Sequence, residues 1–234
     1  MTTSPEKSRK HAKNDPNKSL VIGTAGWSLP RDAQGAFPEA GTHLQRYAAV
    51  LHGVEINSSF YRPHRPATYA RWAASVPKGF RFSIKVPRSI THEGKLADRG
   101  ELLEPFLEQV ASLGAALGPL LVQLPPSLQF DSAVAGAFLE LLRELHTGDV
   151  VLEPRHATWF SPDADVLLQS FAVARVAADP ARVPEAAEPG GSLDIVYYRL
   201  HGSPVIYRSS YEPAYLQRLA QRLDAWRARG AAQW

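Results

Sequence analysis

The chain has 234 residues, 44% hydrophobic and 21% charged, with a formal net charge of +3 and a pI near 9.2. These values suit one soluble globular domain and exclude disordered and membrane classes: no apolar run nears the roughly 18 residues of a spanning helix, and no signal-peptide core opens the chain. With no cysteine, a disulfide framework, a thiol nucleophile and a zinc-thiolate cluster are excluded as well.

The basic pI suggests nucleic acid until the charge is placed. Residues 1–18 carry Lys7, Arg9, Lys10, Lys13 and Lys18 against Glu6 and Asp15, five minus two, or +3, so the body is neutral. Residues 1–18 are predicted as a disordered basic leader, solvated rather than a binding arm, ahead of a single domain over 19–234. The expected location is cytoplasmic.

Leu20 to Gly23 reads as the first strand, with Thr24 to Ser28 as the loop after it. An amphipathic helix over about Thr42 to Leu51 leads to Gly53-Val54-Glu55-Ile56-Asn57, whose alternation marks a strand with one apolar and one polar face. Pro66 to Val76 is the next helix, and Phe80 to Val86 alternates strictly before Pro87. A helix over about Glu101 to Ala116, a strand over Pro119 to Leu124 and a helix over Asp131 to His146 follow, the last capped by Asp131. Val150 to Glu153 is a strand, Pro162 to Gln169 a helix, Ala172 to Val176 a weak strand, and Asp179 to Gly191 a surface loop. Ile195 to His201 is the seventh strand, Pro213 to Arg229 the final helix, and an eighth strand only begins near Ala231. Strict βα alternation predicts a parallel sheet with helical crossovers.

At this length that order predicts a TIM barrel, in which inward residues at the C-terminal strand ends carry chemistry. Placing the apolar set of each strand outward turns Glu55, Asn57, Lys85, Gln123, Glu153, Arg199 and His201 inward, each at a C-terminal end. Unpaired buried charge costs several kcal/mol, so this set implies either an internal ion-pair network or a site. The concentration at one rim favours a site.

Six motifs in order resemble the DUF72 family, the YecE-like domain of unknown function. They are Gly23-Thr24-Ala25-Gly26-Trp27, Val54-Glu55-Ile56-Asn57-Ser58-Ser59-Phe60-Tyr61, Phe82-Ser83-Ile84-Lys85-Val86-Pro87 with Thr91-His92, Val122-Gln123-Leu124-Pro125-Pro126, Glu153-Pro154-Arg155-His156 with Trp159, and Tyr198-Arg199-Leu200-His201-Gly202. The resemblance spans residues 20 to 230 and implies a TIM barrel but no settled reaction. Members of that family continue after the last helix into a full strand and another helix. Here Gly230 to Trp234 is only the start of that strand, so the sequence predicts a fragment or an open barrel with unpaired edges on strands one and seven.

For chemistry, Glu55, Glu153 and His201 are the candidate acid/base groups. Lys85, Arg155, Arg199 and Gly202 are candidate anion holders, and Asn57, Tyr61, Gln123, His156 and Trp159 complete the expected substrate pocket. Trp27, Phe60, Tyr207 and Tyr211 are further rim aromatics, while His64 and His92 read as surface histidines. A divalent metal on Glu55, Glu153, His156 and His201 is the minority reading, because Lys85, Arg155 and Arg199 repel a cation there. The expected function is an enzyme, a hydrolase or an isomerase, acting on a small phosphorylated or otherwise anionic metabolite. A metal-dependent phosphodiesterase or nuclease binding nucleic acid, and a non-catalytic ligand-binding module, are the alternatives.

Overall fold

The computed structural model describes residues 20–97 and 100–234; the leader expected over 1–18 lies outside them. The architecture is α/β with a mostly parallel central sheet. In chain order, β1 (Gly23–Ala25) leads to α1 (His43–Ala48), which starts at a capping box: Gln45 N–H donates to the Thr42 hydroxyl, and the Gln45 side chain accepts from Thr42 N–H. Then come β2 (Gly53–Ile56), a short α2 (Ser58–Tyr61), α3 (Pro66–Ala74), β3 (Arg81–Lys85) and α4 (Gly100–Ala111). β4 (Leu117–Gln123) precedes α5 (Ser132–Leu145), whose first amides at Ala133 and Val134 donate to the Asp131 carboxylate. β5 (Val150–Glu153), α6 (Pro162–Ser170), β6 (Ala174–Arg175), β7 (Ala177–Asp179) and β8 (Gly190–Gly191) follow. The chain closes through β9 (Ile195–Val196), β10 (Tyr198–Leu200), α7 (Pro213–Ala228) and β11 (Ala232–Gln233).

The seven-stranded sheet runs β1-β2-β3-β4-β5-β6-β8, parallel except where β8 pairs antiparallel with β6. Two more parallel pairs lie beside it, β7 with β10 and β9 with β11. The first strand sits later than the sequence suggests, at Gly23–Ala25, and forms one edge of the sheet, while the residues just before it meet the C-terminal strand. Leu20 bridges Gln233, Val21 N–H donates to the Gln233 carbonyl at 3.0 Å, and Trp234 N–H donates to Val196 at 2.8 Å. The eighth strand is therefore present, although only two residues long.

The stretch from Asp179 to Gly191 is not a plain surface loop. Arg175 explains why: it pairs with Asp165 at 2.9 Å and donates to the carbonyls of Glu185 and Glu188, drawing the segment onto the sheet. Gly190 lies against that guanidinium, where a Cβ would stand 2.2 Å from Nη2, so a side chain there would displace Arg175 from these partners.

Two apolar clusters form. The larger joins the helices to the outward strand faces, including Val54, Ile56, Phe82, Ile84, Val122 and Leu152. The smaller holds the opposite parity, Leu121, Val151, Val176, Ile195 and Tyr197, with Trp234 stacked parallel on Tyr197 at 5.7 Å. At Gly23 a Cβ would meet the Gly53 carbonyl oxygen at 2.1 Å, across the β1–β2 pair. Gly23→Ala is expected to lower stability by about 1–3 kcal/mol in urea unfolding, through forced separation of the two backbones. An unchanged midpoint would show that β1 shifts freely.

Candidate functional site

The polar ends of the strands meet, because residues two apart on a strand share a face and the inward parity of β2 to β5 and β10 points to one place. Glu55, Lys85, Glu153 and Arg199 are all at most 9% exposed there. Burying four ionisable groups together is tolerable only with partners, and Arg199 supplies most of them. Its Nη2 and Nε take both oxygens of Glu55 at 2.7 and 3.0 Å, and Nη1 takes Glu153 Oε2 at 2.5 Å. Gln123 donates to the same Glu153 oxygen at 3.0 Å, and the Tyr197 hydroxyl lies 3.0 Å from Glu55 Oε2 and from Ser83 Oγ.

This bonding divides the two carboxylates by role. Both Glu55 oxygens are taken by Arg199, with Tyr197 as a third donor, so Glu55 orients the guanidinium. Among the described residues Glu153 Oε1 has only the longer bond from Arg155 Nε at 3.4 Å. Burial pushes the Glu153 carboxyl up, but Arg199 and Arg155 more than reverse this and hold it below the ordinary carboxylate range. It is ionised at neutral pH. The Arg199 guanidinium, opposed by burial yet flanked by Glu153 and Glu55, stays protonated throughout. Burial, and then Glu55, push the Tyr197 phenol well up, so it acts as a neutral donor.

Lys85 differs from Arg199. Among the described residues its Nζ makes no hydrogen bond or ion pair, and it stands 4.2 Å over the Phe60 ring. Burial, then repulsion from Arg199, lower it to about 8 in spite of the two glutamates. His92 is part of the same group: its ring stands 4.9 Å from Phe60, its Nδ1 is 2.9 Å from Thr91 Oγ1, and burial followed by the Lys85 and Arg155 charges push it down. The surface reading of His92 is thus corrected; the strand end and the helical turn over Ser89–Glu93 fold it back over the sheet.

Two cavities flank this centre. One of about 270 Å³ is lined by Gly23, Thr24, Glu55, Tyr198, Arg199 and His201. The other, of about 210 Å³, is lined by Glu153, Arg155, Arg182, Ala186, His201 and Tyr207. His201 and Tyr207, with rings 5.8 Å apart, border both. Burial, then Arg199, push the His201 imidazole down into its neutral form.

Several expected pocket residues lie elsewhere. His156 caps the turn over Ala157–Phe160, its Nδ1 accepting from Thr158 N–H. Trp159 is fully buried, edge-on to Phe130, and donates to the Leu128 carbonyl at 3.0 Å, away from the polar strand ends. The Gly202 amide donates to the Tyr211 hydroxyl at 3.0 Å, so it is not a spare anion donor. Trp27 packs edge-on to Trp72, and His64 lies between Tyr69 and Trp72 with its Nε2 2.7 Å from Ser58 Oγ. Tyr61 is exposed beside Phe60, and Asn57 Oδ1 is buried with no partner among the described residues. The metal quartet does not converge; among the described residues no three His, Asp or Glu side chains gather as a metal site. Tyr197 and Ser83 were missed, although their parity with Arg199 and Lys85 was readable. Arg182, in the loop after β7, carried no periodic signal.

Among the described residues no helix is long and apolar enough to cross a membrane. Over 106 residues the chain is 30% identical to the UPF0759 protein YecE of Escherichia coli K12, a match covering 45% of this chain and 38% of that protein. The chain thus spans under two fifths of the curated relative it matches. In structure it is similar to a DUF72 family protein of Enterococcus faecalis V583, with a TM-score of 0.71 and 20% identity over 92% of this chain and 87% of that one. A DUF72 family protein of Thermotoga maritima MSB8 gives a TM-score of 0.72 at 24% identity, over 92% and 89%. At these identities the likeness is one of fold. The family described as "Protein of unknown function DUF72" matches residues 21–234, and the chain belongs to that family.

Proposed function

We propose that the protein is an enzyme whose site binds a small anionic metabolite between Arg155, Arg182 and His201, with Glu153 as the proton acceptor. The observation that carries this reading is the cavity of about 210 Å³, which receives two guanidinium groups and a single carboxylate already bound by Arg199 and Gln123. Counting formal charges, Glu55 and Glu153 give minus two, and Lys85, Arg155 and Arg199 give plus three, leaving +1 before Arg182 is added. The four buried groups balance one another, so the surplus comes from the half-buried Arg155 and the exposed Arg182 at the cavity mouth, where it attracts an anion. The volume is below the roughly 300–1,000 Å³ typical of drug-sized ligands, which suits a metabolite of few carbons. His201, kept neutral, exchanges protons with the substrate opposite Glu153.

A closed barrel is part of this reading. It is supported by the parallel pairs that lead from β5 through β6, β7 and β10, and from β9 through β11 to Leu20, and by the inner apolar cluster under the polar network. In such a barrel the polar network lies at the catalytic rim.

Inorganic phosphate is the first ligand to test. It is expected to raise the melting temperature with concentration, sodium chloride at equal ionic strength leaving it unchanged. Arg155→Met with Arg182→Met weakens phosphate binding by about tenfold or more, since hydrogen bonds to charged groups contribute about 1.5–3 kcal/mol each. An equal shift in the double variant would remove this cavity as the anion site.

A further inference from the structure

At the end of β3 one amine is held apart from the acids around it. Glu55 and Glu153 face Lys85 from β2 and β5, yet their oxygens are bonded to Arg199, Tyr197, Gln123 and Arg155. An amine kept only as a countercharge would be drawn into contact with one of them. Lys85 instead rests on the Phe60 face at 4.2 Å, and its Nζ is not among the buried polar atoms sealed from solvent. His92, on the other edge of Phe60, has Nδ1 beside Thr91, and among the described residues its Nε2 makes no hydrogen bond.

We infer that Lys85 is a covalent amine nucleophile that forms an imine with a small carbonyl compound bearing an anionic group, either a 2-oxo acid or a phosphorylated ketone. The inference rests on the anion site proposed above, whose Arg155 also acts on the charge of Lys85. The neutral amine adds to the carbonyl carbon, forming the C–N bond while the C=O π pair moves onto oxygen. The new ammonium gives a proton to His92, and the alkoxide takes up, through water, the proton that the Lys85 ammonium released on becoming the neutral amine, giving a carbinolamine. His92 returns its proton to that hydroxyl, which leaves as water while the nitrogen lone pair closes the C=N bond. Lys85 ammonium and carbonyl compound thus become protonated imine and water, with no oxidant or reductant required. The iminium then withdraws electrons from the adjacent carbon, where an ionised Glu153 is placed to take a proton.

The environment keeps the reactive form populated. Glu55 and Glu153 favour the ammonium, while burial and the Arg199 and Arg155 charges disfavour it. With the group lowered to about 8, the neutral fraction at pH 7 is roughly two-hundredfold above that of an ordinary lysine.

The full chain is incubated with sodium cyanoborohydride and either pyruvate or dihydroxyacetone phosphate, and adducts are mapped by intact mass and peptide sequencing. Binding of lactate and of glycerol 3-phosphate, the same anions without a carbonyl, is measured in parallel by calorimetry. The expected result is one reduced adduct on Lys85, at least about tenfold over exposed lysines such as Lys78, absent in Lys85→Arg. Trapping by pyruvate alone identifies a 2-oxo acid, and trapping by dihydroxyacetone phosphate alone a phosphorylated ketone. His92→Gln slows trapping without weakening lactate or glycerol 3-phosphate binding. Binding of those analogues with no Lys85 adduct overturns the imine and leaves the anion site standing, as do adducts scattered over exposed lysines. Neither binding nor trapping removes both.

Discussion

Replacing Arg199 with methionine is expected to lower stability by about 3–5 kcal/mol at neutral pH, the largest effect of any single change in the site. The substitution keeps side-chain bulk but leaves Glu55 and Glu153, 6% and 4% exposed, facing each other without their shared cation. Arg199→Lys recovers only part of this, because one ammonium cannot hold both Glu55 oxygens and Glu153 at once. The pH dependence separates a charge effect from a packing effect. Without Arg199 burial lifts the folded Glu153 carboxyl above its unfolded value, so the folded state binds more protons and the deficit narrows as pH falls from 7 toward about 5. Urea unfolding across that range measures it. A deficit independent of pH would mean that the guanidinium acts by filling space and that the carboxylates are not uncompensated.

Lys85→Met is expected to do the opposite and stabilise the protein at pH 7, by about 1–3 kcal/mol. Burial, with Arg199 beside it, lowers Lys85 to about 8, so the folded state works against a charge that the unfolded chain solvates freely. Below that value both states are protonated and the full penalty is present. Between about 8 and about 10.4 the unfolded chain binds more protons than the folded one, so wild-type stability rises with pH and the advantage of the variant fades. Melting curves at pH 7 and pH 10 test this. A variant less stable at pH 7 would show that Lys85 is a countercharge for the glutamates. A gain in stability with loss of carbonyl trapping would mark Lys85 as retained for chemistry rather than folding.

Much of the fold was legible because period-two alternation is local. β2, β3, β4 and β5 were found within a few residues, and the helix starts at Asp131 and Pro66 announced themselves by their capping chemistry. The same alternation brought Glu55, Lys85, Gln123, Glu153 and Arg199 to one face. The weak strand near Ala172 was harder, since Ala174–Arg175 and Ala177–Asp179 have little apolar contrast and are held by backbone pairing to β5 and β10. The segment that returns as β8 depends on Arg175 reaching Asp165 and the Glu185 carbonyl, contacts with no local pattern.

By itself the sequence determined the α/β order, the inward parity of the polar strand ends and, through six motifs, the family. Parity says which residues share a face; it does not say which oxygen each donor takes, because that depends on how neighbouring strands are staggered across the sheet. Only the tertiary structure decided that Arg199 spends its donors on Glu55 and Glu153 instead of on a ligand. It also decided that His156 and Trp159 serve the fold, that His92 comes over Phe60, and that Arg182 joins Arg155 at one cavity. Loop side chains follow no period, so their partners are chosen by three-dimensional packing alone.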